Sequence, residues 1–262
     1  MNLETGSPTP ETQGKTAIVK IAIQLYSLRD RLESEPDKAL GELAEIGYNH
    51  VELAGTYGLE PAEYKALLDK HGLQATSSHM GPQDILNDTE KAADFAKLFG
   101  MSYLAVPWVD KNNVPGGSWV GLADLLNEAA EALAPHGIRL GYHNHDFELA
   151  ETDGAVPLDL LIQHVDPKLV FFELDLCWVA AGGADPAAYI QAVEKTPLLH
   201  FKDWSGEAIA DLGEGILNWD QLIELGKGAD TKFAIVENDN PTDSMEFARK
   251  AFNFLKSKGL EA

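Results

Sequence analysis

A single (β/α)8 TIM barrel is the fold class predicted here, on three observations. From Ile18 onward, short apolar runs alternate with segments of helical period, as in a parallel sheet built from β-α units. Eight such runs fit within 262 residues, the size of an α/β barrel that forms one domain. No glycine-rich dinucleotide fingerprint follows the first run, which argues against an open doubly wound sheet.

Residues 1–17, rich in Thr, Glu, Gly and Pro, read as a flexible N-terminal tail, and residues 18–262 as one barrel domain with no composition break. The first strand covers 18–25 and leads through Tyr26-Ser-Leu-Arg29 to a helix at 36–46. A second strand follows at 50–53, and Pro61 suits the first turn of a helix over 61–71. The third strand is 74–77, and the third helix, 83–99, is stopped by Gly100. Strand four, 103–107, precedes a loop holding Pro115, Gly116 and Gly117 and a long helix over 119–133. Strands five to eight are 138–143, 169–175, 198–201 and 233–237. Helices at 156–164 and 186–193 separate strands five, six and seven, and a last helix at 244–255 closes the ring.

Forty-two acidic residues against 20 basic ones leave a net charge of -22. Such a surface repels nucleic-acid phosphates and anionic membranes, so neither is an expected partner. Cys177 is the only cysteine, which excludes an intrachain disulfide and fits a reducing compartment. With no signal-like segment and no apolar run of membrane-spanning length, a cytoplasmic location is expected. Homo-oligomerisation is left open.

In such barrels the chemistry sits on the loops that follow the strands. The groups at those ends are Gln24 and Tyr26, Glu52, His79, Trp108, His143 with Asn144 and His145, Glu173 with Asp175, His200 with Lys202, and Glu237 with Asn238. Donors are densest in Gly141-Tyr-His-Asn-His-Asp-Phe-Glu148. Asp175, His200 and Glu237 end consecutive strands, which lie ~4.8 Å apart, so their side chains can converge on one cation. Mixed carboxylate and imidazole ligands suit Mn, Mg, Co or Zn without choosing among them. The plainer alternative is a buried ion-pair network at the barrel top.

These pieces resemble the xylose isomerase-like sugar phosphate isomerase/epimerase family over about residues 18–260. The matching segments are Gln24-Leu-Tyr-Ser-Leu-Arg29, Tyr142-His-Asn-His-Asp-Phe-Glu148, Glu173-Leu-Asp175, His200-Phe-Lys-Asp203 and Val236-Glu237. The resemblance implies an enzyme with a divalent metal held by Asp175, His200 and Glu237. It also implies two departures. The ketose 3-epimerases of the family carry a further glutamate, both ligand and base, where this chain has Gly141, and a histidine where it has Trp178. A symmetrical two-base epimerase is therefore disfavoured.

His143 and His145 share the alternation of Gly141 and are candidates for the vacant ligand place or for the base, with His145 favoured as nearer the mouth. Glu237 or one of these histidines would move the proton. Candidate substrate contacts are Glu52, His79, Trp108, Glu148, Trp178 and Lys202. Each has a bland counterpart: Glu52 and His79 as loop caps, Glu148 as a loop start, the tryptophans as core packing, His145 as a loop hydrogen bond and Lys202 as a solvated surface group.

The first expectation is an isomerase or epimerase acting next to the carbonyl of a small sugar or keto sugar, through a metal-bound enediolate. Its runner-up on the same site is elimination from a 3-keto-glycoside or dehydration of a keto-inositol. A non-catalytic sugar-binding barrel is a further alternative. A metal-dependent nuclease resembling endonuclease IV is opposed by the acidic charge. The absence of an evident phosphate site favours a neutral sugar.

Overall fold

The computed structural model describes residues 19–110, 117–152 and 154–262. The tail expected at 1–17, the first residue of the expected first strand, Ile18, and the loop residues Pro115 and Gly116 lie outside the described residues. The strands are β1 (Lys20–Gln24), β2 (His50–Leu53), β3 (Gln74–His79), β4 (Tyr103–Val106), β5 (Arg139–His143), β6 (Val170–Asp175), β7 (Leu198–Phe201), β8 (Asp203–Trp204), β9 (Ile209–Ala210) and β10 (Phe233–Val236). Eight of them close a parallel barrel in the order β1-β10-β7-β6-β5-β4-β3-β2. The other two, β8 and β9, form a small antiparallel ribbon after β7.

The register places polar strand ends side by side. Gln24 is level with Glu52, His143 with Glu173, and Asp175 with His200. A register shift between Val51 and Glu52 brings Ser77 opposite Glu52. Lower in the barrel, Ala22, Phe171, Leu198 and Ile235 form a buried apolar plug, so the interior is packed below the polar layer. Gly141 belongs to this packing: a Cβ there would lie 2.5 Å from both Cε2 and Cζ of Phe171. The larger core lies between the barrel and its helices.

Most helices start as the residues demand, with proline in the first turn at Pro36, Pro61, Pro82, Pro157 and Pro186. Gly100 takes the left-handed conformation, φ 73°, that ends the helix before it. The single helix expected over 83–99 is instead two, Pro82–Asn87 and Thr89–Phe99. Asp88 divides them because its backbone leaves the helical region, at φ -154° and ψ 77°, and its carboxylate caps the second helix at the Lys91 amide. Three helices not anticipated are Arg29–Leu32, Leu176–Ala181 and Trp219–Gly228. No helix among the described residues is long and apolar enough to cross a membrane.

Candidate active site

The strand ends of β2, β3, β5, β6, β7 and β10 converge on a layer of buried ionisable groups. His200 links its two sides, with Nε2 2.7 Å from Glu52 Oε2 and Nδ1 3.0 Å from Glu237 Oε2. Glu52 is completely buried and also accepts hydrogen bonds from Gln24 Nε2 at 2.8 Å and Ser77 Oγ at 2.6 Å. His79 Nε2 lies 3.0 Å from Glu173 Oε2, and His143 Nδ1 lies 3.5 Å from the same oxygen. His143 Nε2 is 4.0 Å from Asp175 Oδ2. The rings of His143 and His200 meet edge to face at 4.4 Å.

Lys202 corrects an expectation. Far from a solvated surface group, its ammonium is buried between Asp175 Oδ2 at 2.9 Å, Glu237 Oε2 at 2.9 Å and Asp239 Oδ2 at 2.6 Å. It follows β7 directly, and the neighbouring ends of β6 and β10 enclose it with carboxylates. Burial opposes its charge, but these three carboxylates raise its proton affinity well above the ordinary lysine value.

The protonation pattern follows from burial and neighbours. Burial would raise Glu52, but His79 and His200 hold it well below the usual carboxylate range. Burial and the Glu52 charge push Glu173 up to about 7. Burial also raises Asp175, against the pull of Lys202 and His200. For Glu237 burial is outweighed by Lys202 and His200, which keep it ionised. His200 and His79 are raised against burial by Glu52 and Glu173. His143 is driven well below 6.5 by burial and by the charges of His200 and His79, and so stays neutral.

Two overlapping groups bring their donor atoms within 4.8 Å of one another: His143, Asp175, His200 and Glu237, and His79, His143, Glu173 and His200. Both can hold a cation. Buried atoms without hydrogen-bond partners lie among these donors, namely His143 Nδ1, Glu173 Oε1 and Asp175 Oδ2, the last beside the Lys202 ammonium and His143 Nε2. Leaving such atoms unpaired costs about 1–3 kcal/mol each, and a neutral imidazole with carboxylates is a donor set that a divalent cation satisfies.

Above this layer opens a cavity of about 500 Å³ lined by Tyr26, His79, Trp108, His143, His145, Glu237 and Asp239, among others.

Residues 40–258 match the family of xylose isomerase-like TIM barrels. The chain belongs to this family.

The xylose isomerase-like barrel has relatives of known activity at low identity. It is 26% identical to an inosose dehydratase of Geobacillus kaustophilus over 192 residues, 64% of this chain. That match spans 61% of the relative's length, less than two thirds. An inosose dehydratase of Mesomycoplasma hyopneumoniae is 25% identical over 84% of this chain and 88% of its own. Among solved structures, a sugar phosphate isomerase/epimerase from Parabacteroides distasonis superposes with a TM-score of 0.79. It is 24% identical and covers 91% of this chain and 98% of its own, a likeness of fold. The expectation of an enzyme of this superfamily, lyases included, agrees with these relatives.

Within this xylose isomerase-like barrel the other candidate residues are distributed as follows. His145 does not join either cation-binding group; its ring stacks on Phe147 at 5.6 Å and lies 5.8 Å from Trp178. His143 joins both groups instead, because β5 ends at His143 and strand alternation no longer governs the residue two further on. Burial and the Lys202 charge lower His145 to about 4. Glu148 is wholly buried and closes the loop, accepting from Tyr142 Oη at 2.7 Å and from the His145 amide at 2.8 Å. Asp175 has a second task, capping the helix Leu176–Ala181 through the Trp178 amide at 2.9 Å.

Trp108 is 54% exposed in the cavity wall, whereas Trp178 lies beside Lys202. Trp204 lies in the ribbon strand β8. Sequence reasoning had no role for Glu173 and overlooked Asp239. The signal for Asp239 was its place two residues beyond Glu237 in a loop leaving a strand end.

Proposed function

We propose that this protein is a lyase, a divalent-metal-dependent dehydratase that removes water from a small keto-polyol or keto sugar next to its carbonyl. The observation that carries this reading is the asymmetry of the cavity. His145, which burial and the Lys202 charge lower to about 4, lines it together with His79, whose proton affinity Glu52 and Glu173 raise against burial. The second carboxylate base of the ketose epimerases is missing at Gly141, where Phe171 fills the space. The inosose dehydratases among the relatives support the same outcome.

His143, Asp175, His200 and Glu237 would hold the cation. When bound, a divalent cation supplies Lewis acidity that polarises a carbonyl and acidifies the adjacent C–H. His145 lines the cavity and, lowered to about 4, is neutral at pH 7, so it can accept that proton. His79, whose proton affinity Glu52 and Glu173 raise against burial, would return a proton to the departing hydroxyl. One C–H and one C–O bond break, a C=C bond forms, and water leaves. Lys202 restrains Asp175 and Glu237 and limits their mutual repulsion. Among the described residues lining the cavity there is no lysine or arginine, which supports an unphosphorylated substrate.

The test is proton NMR of a keto-inositol and of free ketoses, each incubated in deuterated water with protein loaded with Mn, Co or Zn. The proposal expects loss of water from the keto-inositol. Epimerised or isomerised ketoses with solvent exchange would restore the isomerase/epimerase reading. Binding without any exchange would leave a sugar-binding barrel.

A further inference from the structure

Beside the catalytic cavity lies a second one of about 490 Å³. Trp108, Val109, Trp119, Phe147 and Ala150 supply its apolar walls, and Asp110 and Thr152 its polar lining. Trp108 is a wall of both cavities, so the two share one side chain as their divider. Phe147 touches a residue of the catalytic cavity: the His145 ring lies nearly parallel to it, at 14° and 5.6 Å.

The exposure of these rings calls for an occupant. Tyr26, Trp108 and Phe147 are 42%, 54% and 37% exposed, although comparable aromatic side chains elsewhere, such as Tyr48, Tyr64 and Phe201, are fully buried. All three line one or other of the two adjoining cavities. A polyol ring fills neither the volume nor the apolar character of the second space, whereas a flat apolar group would stack on Trp108 and Phe147 and cover them.

We propose that the second cavity is a subsite for a planar apolar substituent, an aryl group above all, carried by the ring that occupies the catalytic cavity. This deepens the lyase reading and rests on it for the identity of the first cavity. The preferred substrate class is then an aryl-substituted keto sugar, with an unsubstituted keto-inositol a poorer fit.

The test is calorimetric titration of the full-length, Mn-loaded protein with phenyl β-glucoside and, in parallel, methyl β-glucoside. Burying the phenyl ring predicts about tenfold tighter binding of the phenyl compound. Ala150→Trp fills the second space alone and should abolish the preference while leaving methyl glucoside binding unchanged; Trp108→Ala removes a stacking face that both cavities share and should weaken phenyl glucoside more than methyl glucoside, reducing the preference. Trp108 and Ala150 are exposed, so both variants should fold. Equal affinities in the wild type, no binding of the phenyl compound, or a preference that survives both variants overturns the subsite. Neither glucoside has a carbonyl, so this result is independent of elimination. The lyase reading fails separately, if keto substrates bind but do not turn over.

Discussion

Replacing Lys202 by methionine keeps the length of the side chain and removes its charge. In the wild type that charge is wholly buried and lies within 2.6 to 2.9 Å of Asp239, Asp175 and Glu237. Removing one partner from a buried ion pair costs about 3–5 kcal/mol, because the remaining charge is left uncompensated. In a chain of this size each kcal/mol moves the melting temperature by roughly 2–4 °C, so a fall of roughly 6–20 °C is expected. A solvated lysine would change stability by no more than about 0.5 kcal/mol, or roughly 2 °C.

Differential scanning calorimetry at pH 7 in the presence of a chelator separates these outcomes. A drop below about 2 °C would refute the buried-ammonium account. Repeating the scan with excess Mn adds a second readout. A cation near Asp175 and Glu237 replaces part of the lost charge, so it should stabilise Lys202→Met more than the wild type.

Metal content by mass spectrometry after dialysis should show one equivalent in the wild type and none in Asp175→Asn or His200→Ala; metal retained by both variants would sink the assigned ligand set. Gly141→Ala forces a Cβ against the Phe171 ring and should cost about 1–3 kcal/mol in urea unfolding, with Phe171→Leu restoring most of it. An unaffected midpoint for Gly141→Ala would mean that the plug yields freely. Burial raises Glu148 to about 7 from an ordinary 4.5, so the folded state binds the proton more tightly than the unfolded one. Its contribution is full below pH 4.5 and is lost as pH rises through 7, a change of up to about 3 kcal/mol. Stability of Glu148→Gln should decline less over that window, and parallel pH profiles for the two proteins would contradict it.

Eight strands and most helices could be placed from the chain alone, because period and end signals are local. Proline at helix starts and Gly100 at a helix stop act through the backbone of their own neighbours. The failures had local causes too. Leu176–Ala181 is six apolar residues with no polar face to reveal a helical period. Asp88 was absorbed into a long helical pattern, although its side chain caps the helix that begins after it. In Trp219–Gly228, glycine at 226 and 228 weakens the helical signal.

The site divides along the same line. That Asp175, His200 and Glu237 stand at the ends of successive barrel strands follows from strand length and spacing, and so was legible in residue order. Which donors meet was decided in three dimensions. His143 and His145 are equivalent by alternation, yet β5 stops at the first, and the second, past the strand end, lines the cavity with its ring stacked on Phe147 and outside both donor groups. Lys202 looks like any lysine after a strand until barrel closure brings β6 and β10 against β7 and surrounds it with carboxylates. Residue types and backbone periodicity act over a few positions and survive in the linear chain. Proton affinity and the fit of a cation depend on through-space distances of 3–4 Å, and the register and closure of the barrel set those distances.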